Sequence, residues 1–154
     1  MDNKVSLSFA AISEALREFP LPEVDRVVGI GRGGVVPASL IAHQLQRELS
    51  IVWVNYRNDD NQPAHERPQW LDSTLPYFDP GDRILLVDDV AVSGQTLAAV
   101  KERLSDFTVT TLVLKGTADL VVFPTIATCV HWPWKPNEQT ANLEKQNPNR
   151  HERS

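Results

Sequence analysis

Thirteen consecutive residues, running from Ile84 to Thr96 as Ile-Leu-Leu-Val-Asp-Asp-Val-Ala-Val-Ser-Gly-Gln-Thr, constrain this chain more than any other stretch. The first four form a short apolar run with β-branched members, the pattern of a strand buried on both faces of a parallel sheet. Asp88 and Asp89 are expected to close that strand. Ser93, Gly94, Gln95 and Thr96 then lead into a helical pattern at Leu97, Val100 and Leu104. The first N–H groups of a helix point outward with partial positive charge, and the hydroxyls of Ser93 and Thr96 add donors, so the loop suits a phosphate. Two carboxylates just before it would repel a bare phosphate. They fit a ligand that carries hydroxyls or a metal ion beside its phosphate, which describes a sugar phosphate. A plain polar strand end needs neither the acid pair nor the loop. In an acidic pocket of the response-regulator kind, the paired acids usually close the first strand and no Ser-Gly-x-Thr loop follows.

The segment resembles the signature of the type I phosphoribosyltransferases, which bind 5-phosphoribosyl-1-pyrophosphate. The resemblance implies that Asp88 and Asp89 hold the ribose hydroxyls, directly or through Mg2+, and that residues Val90, Ala91, Val92, Ser93, Gly94, Gln95 and Thr96 wrap the 5′-phosphate. Asp88 and Asp89 are then the metal-binding residues and, with Arg32, the catalytic ones.

A second loop supports this reading. Val27, Val28 and Ile30 make a short strand, followed by Gly31, Arg32, Gly33 and Gly34 and by a helix that Pro37 opens near its first turn. Glycines let the backbone approach an anion, and Arg32 brings a permanent charge. Gly29 to Gly34 also satisfies G-x-G-x-x-G, the dinucleotide-binding pattern. The acid that pattern needs at the end of the second strand is missing, because residues 51 to 56 close with Asn55 and Tyr56. A structural glycine turn is the third reading. The run from Arg32 to Pro37 resembles the pyrophosphate loop of purine phosphoribosyltransferases, which assigns Gly31, Arg32, Gly33 and Gly34 to pyrophosphate.

Around these loops the pattern is that of a single α/β domain. Phe9, Ile12, Leu16 and Phe19 place a helix over residues 8 to 19, capped by Ser8 and ended by Pro20. Leu40, Ile41, Leu45 and Leu49 predict a helix from 36 to 49; His43 within it is given no role. Residues 57 to 82 are polar and proline-rich without periodicity, and an insertion of that length is commonly a lid. The resemblance makes it a flexible hood over the site, with Tyr56, Asp59, Asp60 and Asn61 similar to the hood's start in xanthine-guanine enzymes. The expected fold is therefore α/β, a central and mainly parallel sheet flanked by helices, with a small hood. The domain spans 1 to 134 and a polar tail covers 135 to 154.

The base would be read by residues 108 to 134. Val109 to Leu114 is a strong strand ending at Lys115, where 6-oxopurine phosphoribosyltransferases carry a lysine that donates to the 6-oxo group. An ammonium suits a carbonyl oxygen and faces the amino group of adenine badly. Val130, His131, Trp132 and Trp134 resemble the segment with which the xanthine-guanine group closes its base pocket. These matches span most of residues 27 to 134.

The resemblance fails at two positions. Val92 stands where that group usually has a carboxylate that moves the purine proton, and valine transfers none. Cys129 stands where an aromatic ring stacks on the base; Trp132 or Trp134 is the candidate replacement. Other families of the fold also lack the acid.

The implied activity is transfer of the phosphoribosyl group to a purine, with release of pyrophosphate. Two alternatives stay open: a non-catalytic module that binds the donor or a nucleotide, and an enzyme of the same fold for another base. The net charge of −5 argues against a nucleic-acid partner. The single cysteine excludes an internal disulfide. The residues from Met1 to Lys4 lack a signal-peptide layout and no apolar run is long enough for a membrane helix, so no membrane role and a cytoplasmic location are expected. Relatives are commonly dimers or tetramers, which implies a homo-oligomer.

Overall fold

The computed structural model describes residues 4–55, 69–70 and 76–135, with the backbone alone at Asn55, Gln69 and Trp70. In chain order the elements are β1 (Val5–Ser6), α1 (Phe9–Glu18), β2 (Arg26–Gly31), α2 (Val35–Leu45), β3 (Glu48–Asn55), β4 (Gln69–Trp70), β5 (Arg83–Ala91), α3 (Gln95–Arg103), β6 (Thr108–Gly116), β7 (Leu120–Val121) and β8 (Val130–His131). Six strands form the main sheet in the order β4-β3-β2-β5-β6-β7. All neighbours are parallel except β3 and β4. β1 and β8 make a separate parallel pair.

Alternation along the central strands builds two cores. Leu85 and Val87 of β5 join Val27, Leu112 and Leu114 under α1 and α2, while Ile84 and Leu86 join Val28, Ile30 and Val113 under α3. Both faces are apolar because helices cover both, as the run at 84 to 87 predicts. α1 starts at the Ser8 cap, whose hydroxyl accepts from Ala11 N–H at 3.1 Å. Its buried residues are Ile12 and Leu16; Phe9 stays half exposed and meets Trp134 instead.

Three boundaries differ from the sequence reading. β5 continues through the acid pair to Ala91, because Asp88, Val90 and Ala91 keep their pairing with Val113, Lys115 and Gly116 of β6. α2 stops at Leu45, where Gln46 turns left-handed at φ 54°, so Leu49 belongs to β3. Of the expected hood, residues 76–82 pack on the domain: Phe78 is buried against Phe107, and Asp79–Asp82 forms a turn closed by Asp82 N–H donating to Asp79 O at 3.1 Å. Tyr56, Asp59, Asp60 and Asn61 lie outside the described residues, as does the tail beyond Lys135.

The N-terminal ends of the parallel strands are tied by charge. Arg26 on β2 pairs with Asp82 at 2.8 Å, with Asp79 at 3.1 Å and with Glu48 on β3. Arg83 on β5 pairs with Asp25 at 3.0 Å. This network lies at the end of the sheet opposite the acid pair. No helix among the described residues is long and apolar enough to cross a membrane.

Candidate active site

Parallel pairing brings the C-terminal ends of β2, β5 and β6 to one edge, the usual ligand side of an open α/β sheet. Here the acid pair divides between the two loops. Successive residues of a strand face opposite ways. Asp88 lines a concavity with residues 90–97, the sugar-phosphate loop and the start of α3. Asp89 turns the other way, under the glycine loop before α2. A Cβ on Gly33 would lie 2.5 Å from both Cγ and Oδ2 of Asp89, so only glycine allows that approach. Gly34 is as constrained, since a Cβ there would meet the Val87 carbonyl oxygen at 2.5 Å.

Neither helix start has a side-chain cap. α3 begins at Gly94 with φ 77°, and α2 at Gly34. Their first-turn N–H groups are the donors an anion would meet. Ser93 accepts from Gln95 N–H at 3.4 Å. Thr96, in the first turn, lines the same concavity. Arg32 is exposed in the loop between β2 and α2, with Val35 N–H donating to its carbonyl at 3.2 Å.

Each carboxylate folds back on the next peptide: Asp88 Oδ1 accepts from Asp89 N–H at 2.8 Å, and Asp89 Oδ1 from Val90 N–H at 2.7 Å. Desolvation, and after it the Asp89 charge, pushes the Asp88 carboxyl well above its usual value. Asp89 is 6% exposed, and its Oδ2 is buried with no hydrogen-bond partner. An orphaned carboxylate oxygen beside a second carboxylate is a hard-oxygen donor set of the kind Mg2+ takes when a substrate diphosphate completes its shell. Asp88 and Asp89 therefore fit the ion. Among the described residues no group of three or more His, Cys, Asp and Glu side chains could hold a metal unaided.

Of the remaining candidates, Lys115 and Val92 lie at this edge. Lys115 is half-buried and pairs in register with Val90. Thr117 N–H donates to Ala91 O at 2.9 Å, and Gly116, at φ 116°, passes so close to Ala91 that a side chain there would strike its backbone. β6 is further held by Asp119, whose Oδ2 accepts from Thr111 N–H at 2.9 Å and from its hydroxyl at 3.0 Å. Val92 is 66% exposed at the loop, with no proton to exchange. Val130 and His131 sit in β8, paired with Val5 and Ser6. Trp132 is 3% exposed and belongs to the α1/α2 core, and Trp134 stacks on it at 5.3 Å with the rings 6° apart. Cys129 is exposed.

Sequence reasoning missed Lys135. In the sequence it heads the polar tail, yet its Nζ stands 3.7 Å from Asp89 Oδ2. No local pattern marks it; its position follows from the turn that Trp132 and Trp134 begin.

The chain matches the family model described as a phosphoribosyl transferase domain over residues 10–124, which takes in both loops and the acid pair. The chain belongs to the phosphoribosyltransferase family. It is 36% identical over 87 residues to the bifunctional protein PyrR of Pseudomonas aeruginosa, covering 55% of this chain and 51% of that protein. The chain thus spans about half the length of these curated relatives. It is 27% identical over 126 residues to the xanthine-guanine phosphoribosyltransferase of Idiomarina loihiensis, covering 78% of this chain and 76% of that enzyme. Among solved structures it is similar to the purine phosphoribosyltransferase of Pyrococcus horikoshii, at TM-score 0.67 and 24% identity over 87% of this chain and 95% of that one. A hypothetical protein from Neisseria gonorrhoeae with bound ppGpp matches at TM-score 0.64 and 25% identity, over 95% of this chain and 98% of that one. The parallel sheet flanked by helices is the fold that the Pyrococcus horikoshii enzyme shares with it.

Proposed function

We propose that this phosphoribosyltransferase moves the 5-phosphoribosyl group from 5-phosphoribosyl-1-pyrophosphate to a purine base, a 6-oxopurine by preference, and releases pyrophosphate. The observation that carries the reading is the division of the acid pair, with Asp88 lining the concavity of the sugar-phosphate loop and Asp89 lying under the glycine loop. A ligand with a phosphate at one end of a ribose and a pyrophosphate at the other spans that arrangement.

On this reading the N–H groups of residues 93–97 take the 5′-phosphate and Asp88 accepts from a ribose hydroxyl. The loop from Gly31 to Gly34, with the Arg32 guanidinium, stabilises charge on the departing pyrophosphate. Mg2+, held by Asp88 and Asp89 with the donor's oxygens, would supply positive charge to the same leaving group. Bond breaking at ribose C1 runs ahead of bond making, and the nearby carboxylates favour the oxocarbenium-like carbon. Lys115 donates to the 6-oxo group, which eases loss of the base proton. Val92 takes no part in that proton transfer, so the proton leaves to solvent. The donor is a charged metabolite that does not cross membranes, which favours the cytoplasm as the site of action. Leu49 and Trp53, exposed on one face of β3, offer an apolar stripe for the homo-oligomer we propose, and sedimentation equilibrium tests it.

The full chain, given donor and Mg2+, is assayed for pyrophosphate release with guanine, hypoxanthine, xanthine, adenine, uracil and orotate. Release with the 6-oxopurines ahead of adenine is expected. Donor binding without release for any base would sink the enzyme reading.

A second reading, a nucleotide-binding module without catalysis, is favoured by exposed Val92 and by the ppGpp held in the Neisseria gonorrhoeae protein. A guanosine bearing two pyrophosphates suits the same loops, and tight ppGpp binding with no turnover would establish it.

A further inference from the structure

Lys135 has no place in the roles above. It closes the turn 132–135, with its N–H donating to Trp132 O at 3.1 Å. That turn is anchored, because Trp132 is in the core and Trp134 stacks on it. From this anchor the ammonium reaches Asp89 Oδ2, at an ion-pair distance of 3.7 Å that is too long for a hydrogen bond. The two partners differ in exposure: 52% of the Lys135 side chain is accessible against 9% of that of Asp89. The charge comes from the solvent side onto a buried carboxylate, and it is free to withdraw.

We propose that Lys135 is a resident counter-ion of the acid pair: in the free protein its ammonium holds the place beside Asp89 that a divalent cation takes when the phosphoribosyl donor is bound. This rests on the reading of Asp88 and Asp89 as the donor site. Lys135 is a positioning residue, acting through Asp89. Its effect is to make metal binding conditional. A cation arriving alone must displace the ammonium with only two carboxylates in return. A cation arriving on a diphosphate also gains the Arg32 loop, and that extra binding moves Lys135 aside.

The test is Mn2+ binding to the full chain, read from the loss of the free-ion paramagnetic resonance signal, with wild type, Lys135→Met and Lys135→Arg. Each is titrated with MnCl2 alone and again with 5-phosphoribosyl-1-pyrophosphate present. Methionine keeps the aliphatic stem at a half-exposed site, and the near-ultraviolet signal of the Trp132/Trp134 pair reports whether the turn survives. Lys135→Met is expected to bind Mn2+ alone roughly tenfold more tightly than wild type, the change that about 1.4 kcal/mol of lost competition produces. Lys135→Arg is expected to match wild type, and the donor is expected to narrow the gap. Equal or weaker Mn2+ binding by Lys135→Met, with donor binding intact, would overturn the counter-ion role alone. A wild-type chain that binds no donor would overturn the donor site, and the counter-ion with it.

Discussion

Gly33→Ala tests how the glycine loop is joined to the acid pair. The added methyl would sit 2.5 Å from Cγ and Oδ2 of Asp89, whereas unstrained contact needs roughly 3.5 Å or more. The backbone itself would accept alanine, because the glycines with positive φ are Gly81, Gly94 and Gly116. On chain entropy alone the substitution should stabilise by about 0.4–1 kcal/mol. The collision reverses that sign. Asp89 is 6% exposed and tied to Val90 N–H at 2.7 Å, so it cannot swing clear without losing that bond. Overpacking of this kind costs about 1–3 kcal/mol, which leaves a net loss of up to about 2.6 kcal/mol. The melting temperature should fall by about 2–4 °C for each kcal/mol in a chain of this size. Donor affinity should drop by about tenfold or more, since the displaced atoms belong to the site. Gly81→Ala is the control: φ is +80° with open space around it, so backbone strain should lower stability while donor affinity stays unchanged. Thermal melting and calorimetric donor titration read both effects. If Gly33→Ala melts at or above wild type and binds donor equally well, the contact between the loop and Asp89 is not what holds the site together.

Two further substitutions probe the base and the opposite end of the sheet. Lys115→Ala should lower kcat/KM for guanine or hypoxanthine by about tenfold or more, the worth of a hydrogen bond from a charged donor, with a smaller loss for adenine; equal losses would remove Lys115 from base choice. At Asp25, the hydrogen bonds from the Arg83 side chain and then from its backbone N–H hold the carboxyl at about 2 rather than the usual 3.8. A depressed acid contributes stability above its unfolded value and loses it as pH falls from about 4 towards 2. Asp25→Asn should flatten the loss of melting temperature in that window, and an unchanged acid limb would refute the assignment.

What the sequence disclosed followed local periodicity. The run at 84 to 87 reads as a doubly buried strand because every residue in it is apolar, and its neighbours cover both faces. Its continuation through Asp88 and Asp89 was hidden, since two adjacent acids look like an ending; only the ladder to β6 carries the strand further. Leu49 continues the helical spacing of Leu45, and the chain turns at Gln46 without the glycine that normally announces it. The two loops were readable from glycines, hydroxyls and one arginine. The contact of Gly33 with Asp89 was not, because it depends on β2 and β5 lying side by side. Lys135 was the least visible: a lysine at the head of a polar stretch looks solvated until the tryptophan turn brings it back to the acids.

The central claim is that both loops and both acids form one site for 5-phosphoribosyl-1-pyrophosphate. Its most direct test is calorimetric titration of the full chain with that donor in the presence of Mg2+, for wild type and Asp89→Asn. One donor should bind per chain, be displaced by pyrophosphate and by ribose 5-phosphate, and bind more weakly to Asp89→Asn. Absence of donor binding by wild type, or equal binding by Asp89→Asn, would contradict it.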